Sequence, residues 1–159
     1  MKLLQERVKD RPAGENLIIR TAVRLMIPFI QLYGLYVIVH GHYSPGGGFQ
    51  GGVVLGASFI LLALAYDLRT SLRFMSERVN AVLGNVGVLI YTGTGLLCAL
   101  LGGLFLDYSA LDRILPLGPV EWRSLGIFVV EVGVGIAVMS IMTSLFWDLG
   151  SGGEMDEGL

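Results

Sequence analysis

The chain has 159 residues, enough for one domain, of which 53% are hydrophobic and only 15% charged, with a mean hydropathy of +0.69. This balance excludes an ordinary soluble composition and points to lipid. The formal net charge of −2 says little as a sum, and the lone Cys98 excludes an internal disulfide or a metal site built from cysteine.

The first sixteen residues are mostly polar, and the apolar run that begins near Leu17 leads into Gly41-His42-Tyr43-Ser44-Pro45. That run is longer than a signal-peptide core and lacks a small-residue cleavage site, so it reads as a retained helix. A membrane-crossing helix needs about 20 mostly apolar residues. Four segments meet that length, residues 22–41, 48–66, 81–106 and 124–147. The expected fold is therefore all-α, an integral membrane protein with four transmembrane helices. Residues 1–149 would form the membrane domain, and 150–159 an acidic, glycine-rich tail expected to be disordered.

Short basic segments set orientation. Lys2, Arg7, Lys9, Arg11 and Arg20 precede the first span and Arg69, Arg73 and Arg78 lie in the second loop, whereas the other side carries only Arg113 and Arg123. Both termini are expected in the cytoplasm. Tyr43, Tyr108 and Trp122 then fall at the outer interface, and Tyr66, Phe74 and Trp147 at the inner one.

Small residues spaced four apart allow close backbone approach between helices in lipid. Such stripes are Gly48, Gly52 and Gly56 in the second span, Gly95, Ala99 and Gly103 in the third, and Gly133 and Ala137 in the fourth, continued by Ser140 and Ser144. They serve packing within the bundle or against partner subunits.

The second span opens on a glycine-rich turn, Pro45-Gly46-Gly47-Gly48-Phe49-Gln50-Gly51-Gly52. Gly46-x-Gly48-x-x-Gly51 formally matches a dinucleotide fingerprint, but the preceding apolar run has helix length and contains Pro28, so no strand and parallel sheet are available. Consecutive glycines instead permit unusual φ values and close approach. At membrane depth such backbone marks a tight interface or a wet path, with a plain hairpin loop as the simpler alternative.

His40-Gly41-His42-Tyr43-Ser44-Pro45-Gly46-Gly47-Gly48-Phe49-Gln50-Gly51-Gly52 resembles the signature of the B subunit of Mrp-type multisubunit cation/proton antiporters, the MnhB domain. The resemblance extends to Asn16 through Thr21 upstream and to Glu131-Val132-Gly133-Val134 in the last span, where the family's pattern often has Asp. It implies a small hydrophobic subunit of a large complex exchanging Na+ for H+ across a bacterial or archaeal cytoplasmic membrane. Its partners would be the other subunits and the bilayer. Similar subunits also occur in membrane-bound hydrogenases and related complexes, which leaves a structural membrane anchor as the alternative.

Ionisable groups in a span are functional candidates by default. Glu131 would sit roughly 6 Å from the centre of the last span, too deep for its short side chain to reach the headgroups. It is either a carboxylate that binds a cation or relays a proton, or a protonated or hydrogen-bonded packing contact. His40 and His42 flank the turn and suit proton handling or interfacial hydrogen bonding. Two histidines at i and i+2 share no helix face, so they make no metal site by themselves. Asp67, at the far end of the second span, joins them as a candidate on an ion path. A helix N-terminus repels a cation and favours a carboxylate, so the turn is expected to shape the path while acids such as Glu131 supply the charge. No catalytic constellation, cofactor motif or basic nucleic-acid face is present.

Overall fold

The computed structural model describes residues 13–41, 46–114, 116 and 118–151. They form α1 (Ala13–Val39), α2 (Gly48–Ala65), α3 (Leu68–Phe74), α4 (Glu77–Leu100), a short 3-10 helix (Tyr108–Arg113) and α5 (Pro119–Ser151). No strand occurs among the described residues. Four stretches are long and apolar enough to cross a membrane: Leu17–Val39, Gly48–Ala65, Glu77–Leu100 and Val120–Ser151. The all-α, four-span architecture is the one the sequence predicts. His42, Tyr43 and Pro45 of the turn, and all of the tail beyond Ser151, lie outside the described residues.

Helix ends follow capping chemistry more than the apolar runs do. The third run continues to Leu106, yet α4 stops at Leu100, because Gly102 takes a φ of 84° and the Gly102 and Gly103 amides donate back to the Ala99 and Cys98 carbonyls. This is a left-handed glycine cap. Arg113 donates to the freed Leu101 carbonyl and ties the loop to the helix end. The segment between the second and third runs, expected as a loop, holds α3. Asp67 caps it by accepting from the Thr70 amide at 2.6 Å, and Ser76 caps α4 by accepting from the Val79 amide. The last helix begins earlier and ends later than residues 124–147, with Pro119 at its first position and Glu121 in its first turn.

The helices form a row, α1–α2–α5–α4, whose order is read from the contacts. Gly34 meets Leu55, Gln31 donates to the Ser58 hydroxyl at 3.3 Å, and the Tyr66 hydroxyl donates to the Arg20 carbonyl at 3.1 Å, so α1 and α2 are antiparallel. Gly48 lies on Glu131, Gly52 on Gly135 and Gly56 on Met139, so α2 and α5 run parallel in step. Gly87 lies on Gly133 and Ala137, and Gly84 on Ser140, so α4 and α5 are antiparallel.

Three of the small-residue expectations can be placed. The Gly48, Gly52 and Gly56 stripe is the α2 face against α5, and Gly133 with Ala137 is the α5 face against α4. The Gly95, Ala99 and Gly103 stripe is no helix seam: Gly95 is covered by the Phe105 ring of its own loop, Ala99 is exposed, and Gly103 lies beyond the helix end against Ala110. The glycines that α4 uses are two and three turns nearer its start, where α5 passes close.

Polar ties reinforce the apolar core of Ile38, Leu55 and Met139. Asn80, fully buried, donates to the Ser140 carbonyl at 2.9 Å and the Ser144 hydroxyl at 2.8 Å. Trp147, expected at an interface, is only 1% exposed and donates from Nε1 to the Ser71 hydroxyl at 3.1 Å, clamping α3 onto α5. Interhelical hydrogen bonds in membranes are each worth roughly 0.6 kcal/mol, so close packing carries most of the association. By contrast, α1 and α4 present long apolar faces outward, including Leu25, Phe29, Tyr33, Val82, Leu89 and Leu100.

A methyl group at Gly52 would stand 2.5 Å from the Gly135 carbonyl oxygen, whereas one at Gly93 meets nothing within 4 Å. Gly52→Ala should therefore destabilise by about 1–3 kcal/mol through overpacking, while Gly93→Ala should be neutral or gain up to about 1 kcal/mol of helix propensity. Thermal unfolding in mild detergent tests the pair; equal melting temperatures would contradict the α2–α5 seam.

Candidate functional site: a carboxylate beneath the glycine turn

The end of α1 and the start of α2 converge on one side chain of α5. A methyl group at Gly41 would lie 2.5 and 2.6 Å from the two Glu131 carboxylate oxygens, and one at Gly47 3.1 Å from Oε1. At Gly48 the methyl would overlap the Glu131 carbonyl group. Only glycine lets the turn settle this closely over both the side chain and the backbone of residue 131. Gly47 also has φ 155° and ψ −171°, a conformation that residues with a Cβ rarely adopt.

Glu131 is half-buried, with Oε2 fully enclosed. It faces the N-terminus of α2, where Gly47 provides no side-chain cap. The first amides of a helix carry partial positive charge, and an acidic group beside them is electrostatically favourable. The glycines of the turn and the Glu131 carboxylate are thus neighbours in space. From this level α5 continues for 12 more residues toward Pro119, roughly 18 Å of helix.

Of the other candidates, His40 shares this end of α1. Its Nδ1 lies 3.1 Å from the Tyr36 carbonyl oxygen, to which only a protonated nitrogen can donate, and its ring stacks on Tyr36 at 4.1 Å. His42 and Pro45 are outside the described residues. Gly46, Gly47 and Gly48 lead into α2, Phe49 and Gln50 are exposed on it, and Gly51 packs against Ile38 and Gly34 of α1. Gly52 and Gly56 carry the seam further along α5.

Asp67 is not brought near Glu131. It stands beyond the opposite end of the 18-residue α2, roughly 27 Å away along the axis. There its carboxyl is held below the usual range, first by hydrogen bonds from Thr70 and then by Arg20 and Arg69. It follows the end of α2, where an acid is locally unfavourable, but the next helix begins at once and gives it an N-terminal amide to accept from.

One neighbour could not be read from the sequence. Tyr108, expected only as an interfacial aromatic, packs its ring on Gly126 of α5. Burial raises its phenol, and Cys98, Tyr91 and Glu131 raise it further. The signal available was weak: an aromatic after Asp107, which caps the 3-10 helix by accepting from the Ser109 hydroxyl and amide.

Because the Asp67 carboxyl is lowered in the folded protein, its stabilising contribution is present above the ordinary carboxylate value of about 4 and is lost as pH falls below that toward the lowered one. Asp67→Ala should therefore lower the melting temperature at neutral pH, and the gap to the unaltered protein should narrow under acid. A gap unchanged across that range would show that the cap does not act as an ionised group.

Residues 18–144 match the family described as "Domain related to MnhB subunit of Na+/H+ antiporter". The chain is 35% identical over 136 residues to the Na(+)/H(+) antiporter B subunit of Bacillus subtilis (strain 168), covering 85% of this chain and 93% of that protein. It is 28% identical over 138 residues to the putative antiporter subunit mnhB2 of Staphylococcus aureus (strain Newman), covering 86% and 96%. With its four apolar spans, the protein is a multi-pass protein of the cytoplasmic membrane. From its first helix to its last, this chain belongs to the MnhB family.

Proposed function

We propose that this chain is a non-catalytic subunit of a multisubunit Na+/H+ antiporter, which packs against other subunits and contributes Glu131 to the ion route. The observation that carries the reading is the seating of the Glu131 carboxylate under Gly41, Gly47 and Gly48, against the start of α2. A carboxylate kept at that depth is expensive unless it is used or matched. Here it is matched to a helix N-terminus and half-buried under the turn, a setting suited to exchanging a proton or holding a cation transiently. His40, at the end of α1 beside the same turn, is the imidazole we assign to proton handling on this route. The names of the relatives favour an antiporter over a hydrogenase-type anchor. The outward apolar faces of α1 and α4 supply surface for partner subunits or lipid.

In this reading both termini are cytoplasmic. Arg20, Arg69, Arg73 and Arg78 gather at the end of the bundle where Tyr66 binds Arg20, against Arg113 and Arg123 at the other, and basic residues favour the cytoplasmic side. The glycine turn then opens outward.

Glu131→Gln keeps the shape of the side chain and removes its charge. In everted membrane vesicles containing the assembled complex, it should reduce Na+-driven proton movement by about ten-fold, equivalent to ~1.4 kcal/mol on the rate-limiting barrier, and alter the pH dependence of what remains. Full transport with unchanged pH and sodium dependence, in a complex recovered in normal amounts, would assign Glu131 to packing alone.

A further inference from the structure

Outside the Glu131 site, the described residues carry one strongly charged cleft. It lies where α3 turns into α4 and is lined by Arg69, Leu72, Arg73, Ser76, Glu77 and Arg78. Its lining brings three guanidinium groups and one carboxylate, that of Glu77. No side-chain hydrogen bond or ion pair within the described residues engages Arg73 or Arg78, and Arg69 has only the long-range pull of Asp67. A second, wholly apolar groove starts at Arg78 and runs up α4 along Val79, Val82 and Leu83. Val79 and Val82 are exposed on the outer face of that helix. The basic cleft and the apolar groove thus share Arg78 and form one surface, charged at the end of the span and greasy along it.

That sequence of chemistries matches a phospholipid more closely than a soluble anion or a peptide. α3 joins two spans, so the arginines sit at the depth of the headgroups, where guanidinium forks pair with phosphate oxygens. Basic residues between helices at the cytoplasmic boundary attract anionic headgroups, each strengthening the interaction by roughly five-fold. A free phosphate would leave the groove along Val79 and Val82 unused. A zwitterionic lipid would bring its own cation beside three arginines that share only the carboxylate of Glu77, so a headgroup with net negative charge is the better match.

From this surface we propose that the chain holds an anionic phospholipid, with its phosphate in the arginine cleft and one acyl chain lying along Val79, Val82 and Leu83. The site requires only that the chain spans the membrane, so it stands or falls separately from the transport role of Glu131. The two elements that line it, α3 and α4, are themselves fixed to α5 through Trp147 and Asn80.

The test uses the complete complex containing this chain, reconstituted in phosphatidylcholine vesicles with a trace of phosphatidylglycerol that is photoactivatable in its acyl chain. A parallel arm uses photoactivatable phosphatidylcholine with the same chains. Labelling of residues 79–83 should be roughly ten-fold stronger with the anionic lipid, and Arg73→Gln/Arg78→Gln should bring it down to the neutral-lipid level. Arg73→Lys/Arg78→Lys should keep most of it. Equal labelling by the two lipids, undiminished labelling in the glutamine variant, or no label at 79–83 because a partner subunit covers the face would each overturn the proposal. So would loss of the label on adding inorganic phosphate, which would make a free anion the ligand. If the glutamine variant is not recovered, the two-lipid comparison and the phosphate arm on the unaltered complex decide it.

Discussion

The close approach of α2 to α5 is the constraint on which the rest of the structure depends. In lipid, apolar side chains gain little by turning toward each other, so helices associate where backbones come close enough for dispersion contacts to accumulate. Gly48, Gly52 and Gly56 provide that closeness against Glu131, Gly135 and Met139. Because the two helices run parallel in step, one repeated glycine spacing along α2 matches the turn-by-turn rise of α5. The same contact that packs the bundle also sets residue 131 against the first turn of α2. Packing and charge placement are one event here.

α5 can serve as the centre of the row because it has small residues on two faces. Gly135 receives α2, while Gly133 and Ala137 receive Gly87 of α4. Toward its C-terminal half the α4 side changes character, from glycine contact to the Asn80 bonds with Ser140 and Ser144. Further along, Trp147 holds α3. The bundle is therefore packed through glycines along its middle and hydrogen-bonded at its basic end. α1 contributes through Gly34, Ile38 and Gln31 and otherwise faces outward, which suits a subunit whose stability is completed by its neighbours.

Glu131 gains its interest from electrostatics in that frame. An acid at membrane depth is costly in isolation, yet a helix N-terminus without a side-chain cap is a compensating partner. The turn brings the two together without a bulky residue between them. A cation approaching along α2 would be repelled by the helix end and attracted by the carboxylate, so occupancy would depend on a small balance, which is the condition for release as well as binding.

Much of this was legible in the residues themselves. Run length and composition determined four spans, because crossing lipid demands about 20 apolar residues whatever the neighbours do. The glycine turn, the family it resembles and the depth of Glu131 were equally local facts. Asn80, Trp147 and Tyr108 were not, since the role of each depends on a residue about 20 to 75 positions away along the chain. Nor could the apolar run to Leu106 reveal that Gly102 would cap the helix early, or the end of α2 reveal that Asp67 would cap α3. Hydropathy reports which surfaces avoid water, and lipid and protein satisfy it equally well. Only the tertiary structure chose between them, by placing Gly87 rather than Gly95 against α5 and by bringing Gly41, Gly47 and Gly48 onto one carboxylate.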